Sequence, residues 1–175
     1  SLNNNEDKFP NPLLSHLASN KNSNTPHLVI QDGHQANTTD IVFSKVNGWM
    51  ISGDESGEII FWDLKSKMQI KKIKLSPDFT NTGDGNTMHL ALHPNKNLIA
   101  VSWNYNTILW IDFDGNVVNQ ISTEAQSNII HFSEDGKYFF YEKNMNKMAV
   151  LNMENNSISA LYDFSTINNI NNFSF

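Results

Sequence analysis

Residues 41–64 read IVFSKVNGWMISGDESGEIIFWDL, residues 90–113 read LALHPNKNLIAVSWNYNTILWIDF, and residues 130–153 read IHFSEDGKYFFYEKNMNKMAVLNM; the three align without a gap. In each, an apolar anchor (Phe43, Leu92, Phe132) ends one run, and a turn follows, marked by Ser44 and Ser133 in two repeats and by Pro94 in the other. A second run centres on Met50, Ile99 and Phe139. Nineteen residues beyond the anchor a third run ends at Trp62, Ile111 or Leu151, followed directly by Asp63, Asp112 or Asn152. After one more turn comes a fourth run, at 68–73, 117–121 and 157–162. Runs of β-branched and aromatic residues separated by Gly, Asn, Asp and Pro clusters are the pattern of short antiparallel strands. Self-similarity at a fixed period means repeated supersecondary units that stack on their neighbours.

The anchors lie 49 and then 40 residues apart, and the nine additional residues fall within 76–86, SPDFTNTGDGN, a loop composition in which an insertion costs little. Each repeat therefore carries four strands. Four-stranded units of this length are the blades of a β-propeller, whose sheets pack face to face around an axis.

The stretch 52–64, SGDESGEIIFWDL, closely resembles the WD repeat, with Trp62-Asp63 at its end and Ile59 three residues earlier. Gly33-His34 stands where that family's Gly-His dipeptide precedes the first strand. In the second and third repeats Ile111-Asp112 and Leu151-Asn152 replace the signature, and no Gly-His precedes them. The resemblance covers 28–175 and implies an all-β fold: a WD-repeat-type propeller segment of three four-stranded antiparallel blades in an incomplete ring, about thirteen strands in all. The repeats are expected at about 34–75, 83–122 and 123–163, after an N-terminal linker over 1–27. A truncated fourth is expected from 164, because Phe173-Ser174 lies 41 residues after Phe132-Ser133. Residues 28–31 precede the first strand where the fourth strand of another blade belongs. The chain is thus expected to be a piece of a longer protein, with the remaining blades supplied by that longer chain or by a partner chain.

In the family, a His, a Ser or Thr, an Asp and the Trp form a buried hydrogen-bonded tetrad. Here the resemblance assigns structural roles to His34, Ser52, Trp62 and Asp63, but the tight-turn Asp position aligns with Ser56, and Asp54 stands two residues early. An intact tetrad is not expected on that alignment.

Composition narrows the function. A net charge of -6 with no Arg among twelve basic residues argues against nucleic acid, because phosphate binding needs cations and bidentate readout needs the guanidinium fork. The absence of Cys excludes disulfides, thiolate metal sites and cysteine nucleophiles. No apolar run approaches the roughly eighteen residues of a membrane span, and 1–5, SLNNN, is not a signal peptide. His89 and His93, four apart, would share a helical face, but on a strand they stand about 13 Å apart, so no metal site is expected. His34 and His131 are read as buried, hydrogen-bonded residues. The close carboxylates Asp54 with Glu55, Asp112 with Asp114, and Glu134 with Asp135 sit in or beside turns, where they cap and solvate. The Lys65–Lys74 run, with lysines at 65, 67, 71, 72 and 74, is either a docking stripe for an acidic partner or protection of an outer strand against edge pairing.

The function implied is a non-catalytic protein–protein interaction scaffold with no cofactor and no catalytic or metal-binding residues. Partner contacts are expected around His34, Asp54, Glu55, Trp103 and Tyr105. Large aromatics in a turn suit an interface anchor, and the competing reading packs one of them onto the neighbouring blade. The alternatives are a sensory or substrate-recruiting propeller within a larger multidomain enzyme, or a propeller hydrolase whose site needs further blades.

Overall fold

The computed structural model describes residues 32–75, 87–104 and 106–165. Twelve strands run over Thr38–Ser44 (β1), Trp49–Asp54 (β2), Glu58–Asp63 (β3), Met68–Lys74 (β4), His89–Leu92 (β5), Leu98–Asn104 (β6), Thr107–Asp112 (β7), Val117–Ser122 (β8), Ile130–Phe132 (β9), Tyr138–Asn144 (β10), Lys147–Asn152 (β11) and Ser157–Asp163 (β12). They form three antiparallel sheets in chain order: β1-β2-β3-β4, β5-β6-β7-β8 and β9-β10-β11-β12. The expected linker, the strand at 28–31, the loop 76–86 and the thirteenth strand at 170–175 lie outside the described residues.

The middle sheet shows how the sheets stack. Side chains alternate between faces along a strand, so Leu90, Ile99, Val101, Leu109 and Ile111 enter one core with Ile51, Ile59, Phe61 and Ile73 of the first sheet. Their neighbours Ala91, Ala100, Ile108 and Trp110 enter a second core with Ile130, Phe132, Phe139, Tyr141 and Leu151 of the third. A strand buried on both faces needs a nearly continuous apolar run, which is the texture of β6 and β7. His131 corrects the expectation of burial: Ile130 and Phe132 take the inward positions of β9, and the residue between them stands exposed.

The first strands of the sheets adjoin, β1 beside β5 and β5 beside β9. Side chains of β1 satisfy backbone groups at the start of the next sheet: Thr39 Oγ1 donates to the Met88 carbonyl (2.9 Å), and the Leu90 N–H donates to Asp40 (2.7 Å). The fourth strands are the outer edges. On β4, Lys71 reaches the Phe113 carbonyl and Asp114, Lys72 pairs with Glu58, and Lys74 donates to Ser56.

Backbone approach between sheets is close at Gly136, whose φ of +72° already favours glycine; a Cβ there would stand 2.4 Å from Cε1 of His93. His93 is buried, its Nδ1 accepts the Asn95 N–H (3.1 Å), and burial, aided by the Lys96 charge, lowers its affinity for a proton. A histidine held neutral in the fold destabilises it once the unfolded chain can protonate. The contribution is full above the ordinary value of 6.5 and is lost as pH falls below it toward the depressed folded value. Urea midpoints of the native chain are expected to fall between about pH 7 and about pH 5, and His93→Gln, though less stable at neutral pH, to fall less. At the core, Phe61→Ala should cost about 3–5 kcal/mol in the same titration.

Candidate functional site

The polar constellation of the first sheet lies on the face turned away from the second. Ile51 and Gly53 of β2 face the second sheet, so Ser52 and Asp54, at alternate positions, face the other way. Ser52 pairs in register with Ile60 of β3, which places Trp62 on the same face one step along. His34, from the segment ahead of β1, lies across them.

Trp62 Nε1 donates to Ser52 Oγ (2.9 Å), the Ser52 hydroxyl donates to His34 Nε2 (2.7 Å), and His34 Nδ1–H donates to Asp54 Oδ2 (2.9 Å). The Trp62 N–H can only donate, which sets the direction of the hydrogen-bond chain and leaves both ring nitrogens of His34 bonded. The other oxygen of Asp54 accepts the Ser56 N–H (2.9 Å), the Ser56 hydroxyl (2.7 Å) and the Glu58 N–H (2.9 Å). Burial pushes the Asp54 carboxyl upward, but hydrogen bonds from the Glu58 N–H, Ser56 and His34 together outweigh it and hold the group below its ordinary 3.8.

The four-residue network is therefore complete, which corrects the reading from the alignment. The Asp that closes it is Asp54, at the last position of β2. Ser56, at the aligned turn position, is a donor to it. Asp54 is also 0% exposed and offers no surface to a partner. A turn carboxylate reads as solvated from sequence; this one is buried because the strand carries it inward and four donors await it.

Trp103 is corrected in the same way. It lies on β6, 4% exposed, and its indole N–H donates to the Glu55 carbonyl across the sheet boundary (3.0 Å). Its ring covers Gly57, where φ is +83° and a Cβ would meet Trp103 Cη2 at 2.2 Å. Of the two readings, packing onto the neighbouring blade is the one observed. Tyr105 lies outside the described residues. The Glu55 carboxylate accepts both bonds from Asn37 Nδ2 (3.1 and 3.2 Å) at the surface. Asp63 serves the opposite end of the sheet, where Oδ1 accepts the Lys65 and Ser66 N–H groups and caps the β3–β4 turn. Gly57 was not singled out from sequence; its pairing with Trp103 joins residues 46 apart and leaves no local signal.

Ser52, His34 and Asp54 have the connectivity of a hydrolytic triad, yet an attacking hydroxyl needs a free approach to substrate. Ser52 is buried, and its oxygen already receives the Trp62 N–H. His34, Asp54 and Glu58 also bring ligand atoms within 4.8 Å of one another. Both imidazole nitrogens are engaged by Ser52 and Asp54, and Glu58 lies 3.1 Å from Lys72, so this donor set is committed to its own network.

No family model matches the chain. It is similar to the Protein LST8 homolog of Dictyostelium discoideum, 34% identical over 86 residues, which cover 49% of this chain and 25% of that protein. It is also similar to the uncharacterized WD repeat-containing protein slr1410 of Synechocystis, 31% identical over 106 residues, 60% of this chain and 29% of that one. The chain thus spans little more than a quarter of the length of these relatives. Among solved structures it overlays the β-propeller domain of Myceliophteria thermophila Cps50 (Swd1) with a TM-score of 0.57 at 13% identity, covering 74% of this chain and 40% of that one. U3-55K overlays with a TM-score of 0.61 at 15% identity, covering 75% and 41%. At such identities the likeness is one of fold, and it matches the repeats read from residues 41–64, 90–113 and 130–153.

Asp54→Ala leaves four donors around a buried position without their acceptor and should cost more than about 3 kcal/mol; Trp62→Phe removes a single donor and should cost about 1–2 kcal/mol. Equilibrium urea unfolding at neutral pH checks both, and the reverse order would contradict the central place given to Asp54.

Proposed function

We propose that this chain, a segment of a WD-repeat β-propeller, is a non-catalytic scaffold for protein–protein interaction. The observation that carries the reading is the closed state of its most reactive-looking constellation. In the Trp62–Ser52–His34–Asp54 network Ser52 and Asp54 are buried, both imidazole nitrogens are bonded, and the carboxylate is spent on holding a turn, so its chemistry is structural. A rigid stack of sheets displaying short hairpin turns suits recognition, since binding residues concentrate on loops positioned by a fixed scaffold. The WD-repeat relatives support the same reading.

With Asp54 and Trp103 withdrawn into the fold, the partner face is carried by the turns that follow the second strand of each sheet. Glu55 stands there in the first sheet and Met145, 88% exposed, in the third. An exposed Met is a pliable apolar contact. Further blades, from a longer chain or a partner, would cover the outward face of the first sheet, where Ile41 and Phe43 of β1 are exposed, Phe43 by 60%.

A fluorophosphonate probe, which labels activated serines, tests the reading against a hydrolase. No adduct is expected on Ser52 of the native chain, and stoichiometric labelling there would overturn the non-catalytic assignment. For the partner face, the double variant Glu55→Lys, Met145→Asp is expected to weaken binding of an isolated partner at least about tenfold in calorimetry, with an unchanged urea midpoint.

A further inference from the structure

A groove of about 310 Å³ opens between the first and second sheets, away from the buried polar network. It is lined by three aromatic side chains: Trp49 at the start of β2, Phe61 of β3 and Phe113 just after β7. The centroids of the three rings lie 6.1, 5.7 and 5.3 Å apart, in edge-on or tilted contact. Rings this close leave no slot between them for a cation; Phe61 is buried beneath, and the partly buried Trp49 and Phe113 give the groove its apolar floor.

A bulge sets the outer rim. Phe61 pairs with Lys71 and Trp62 with Gln69, which leaves Ile70 as the extra residue of β4. Such a bulge re-aims side chains, and Ile70 and Lys71, neighbours in sequence, both line the groove. Ile70 is 46% exposed.

The opposite rim is acidic. Asn116, through its side chain and its N–H, with the Asp114 N–H in support, holds the Asp112 carboxyl below the ordinary range, so it is a carboxylate at neutral pH. The Asp114 side chain is 85% exposed. The groove's lysine is already taken, donating to the Phe113 carbonyl at 2.6 Å and to Asp114 at 2.9 Å. What remains for a ligand is an apolar floor beside a rim of net negative charge, on a chain of net charge -6.

We propose that this groove is the docking site for an extended segment of a partner polypeptide that lays one Leu- or Phe-sized side chain on the Trp49–Phe113 floor beside Ile70. It sets an adjacent Lys or Arg against Asp112 and Asp114. The volume lies at the small end of the roughly 300–1,000 Å³ of ligand pockets, room for one or two side chains and not for a folded surface. The acidic rim selects the basic neighbour and disfavours an acidic one. The inference rests on the interaction reading of the fold, but it concerns a different surface from the turns bearing Glu55 and Met145, so either can fail alone.

The test is a titration of the full ¹⁵N-labelled chain with acetyl-Gly-Leu-Lys-Gly-amide, following the Trp49 indole N–H and the Ile70 and Asp114 amides. Saturable shifts in the millimolar range are expected, several-fold weaker for peptides carrying Leu-Glu or Ala-Lys in place of Leu-Lys. Ile70→Glu should abolish saturation while keeping a dispersed spectrum. Asp114→Lys, at a site exposed enough to leave the fold intact, should reverse the preference toward the Leu-Glu peptide. No saturable shift at these three positions, or equal response to Leu-Lys and Leu-Glu, would overturn the proposal. So would a dimer in sedimentation velocity that Ile70→Glu dissolves, since the groove would then belong to a second copy of this chain.

Discussion

The Asp54 carboxylate accepts four hydrogen bonds where water does not reach it, and the first sheet is arranged around that requirement. Leaving a buried charge unsatisfied costs several kcal/mol, so each donor is bound to its place. His34 is fixed against β2, and through Ser52 the link passes to the Trp62 indole on β3. On its other side the carboxylate draws in the Ser56 and Glu58 N–H groups and sets the turn in which Gly57 takes a positive φ. That glycine is the one over which Trp103 of the second sheet lies. A single anion thus connects strand pairing within one sheet to packing between two.

Packing between the sheets follows from alternation. The middle sheet sends Leu90, Ile99, Val101, Trp103, Leu109 and Ile111 toward the first sheet and Ala91, Ala100, Ile108 and Trp110 toward the third, so its two cores are filled differently. Where a backbone must approach closely, a glycine lies beneath a bulky partner: Gly57 under Trp103 and Gly136 under His93. Among the described residues, the second and third sheets show no counterpart of the four-residue polar network of the first. Their equivalents of Trp62 are Ile111 and Leu151, both buried, and apolar contact replaces the hydrogen-bonded link.

For function, the division between buried and exposed polar groups matters more than residue type. Ser52, His34 and Asp54 have the order of a catalytic relay, yet burial and the Trp62 donor direct them to structure. The proposed recognition surface uses groups left toward solvent: a carboxylate at Glu55, an exposed Met145, and a groove edged by Asp112 and Asp114 between two sheets. The groove exists because two adjoining sheets each contribute part of it, β2, β3 and β4 from one and the end of β7 from the other.

The repeats at 41–64, 90–113 and 130–153 determined the twelve described strands and their grouping into sheets, because strand periodicity and turn chemistry are local and survive in a linear reading. The Trp62-Asp63 dipeptide likewise carried the family resemblance. The site was only half legible. His34, Ser52 and Trp62 were identifiable from the resemblance to the WD repeat, but the Asp position aligned with Ser56 in the turn, whereas the tertiary structure selects Asp54 because its side chain alternates onto the face where His34 lies. Trp103 could be read as a surface anchor or as a packed residue, and only the presence of Gly57 on the adjoining sheet, with no Cβ in the way, decided for packing. The sequence by itself determined which segments are strands; which side chains are buried, and with whom, depended on contacts between residues far apart in the chain.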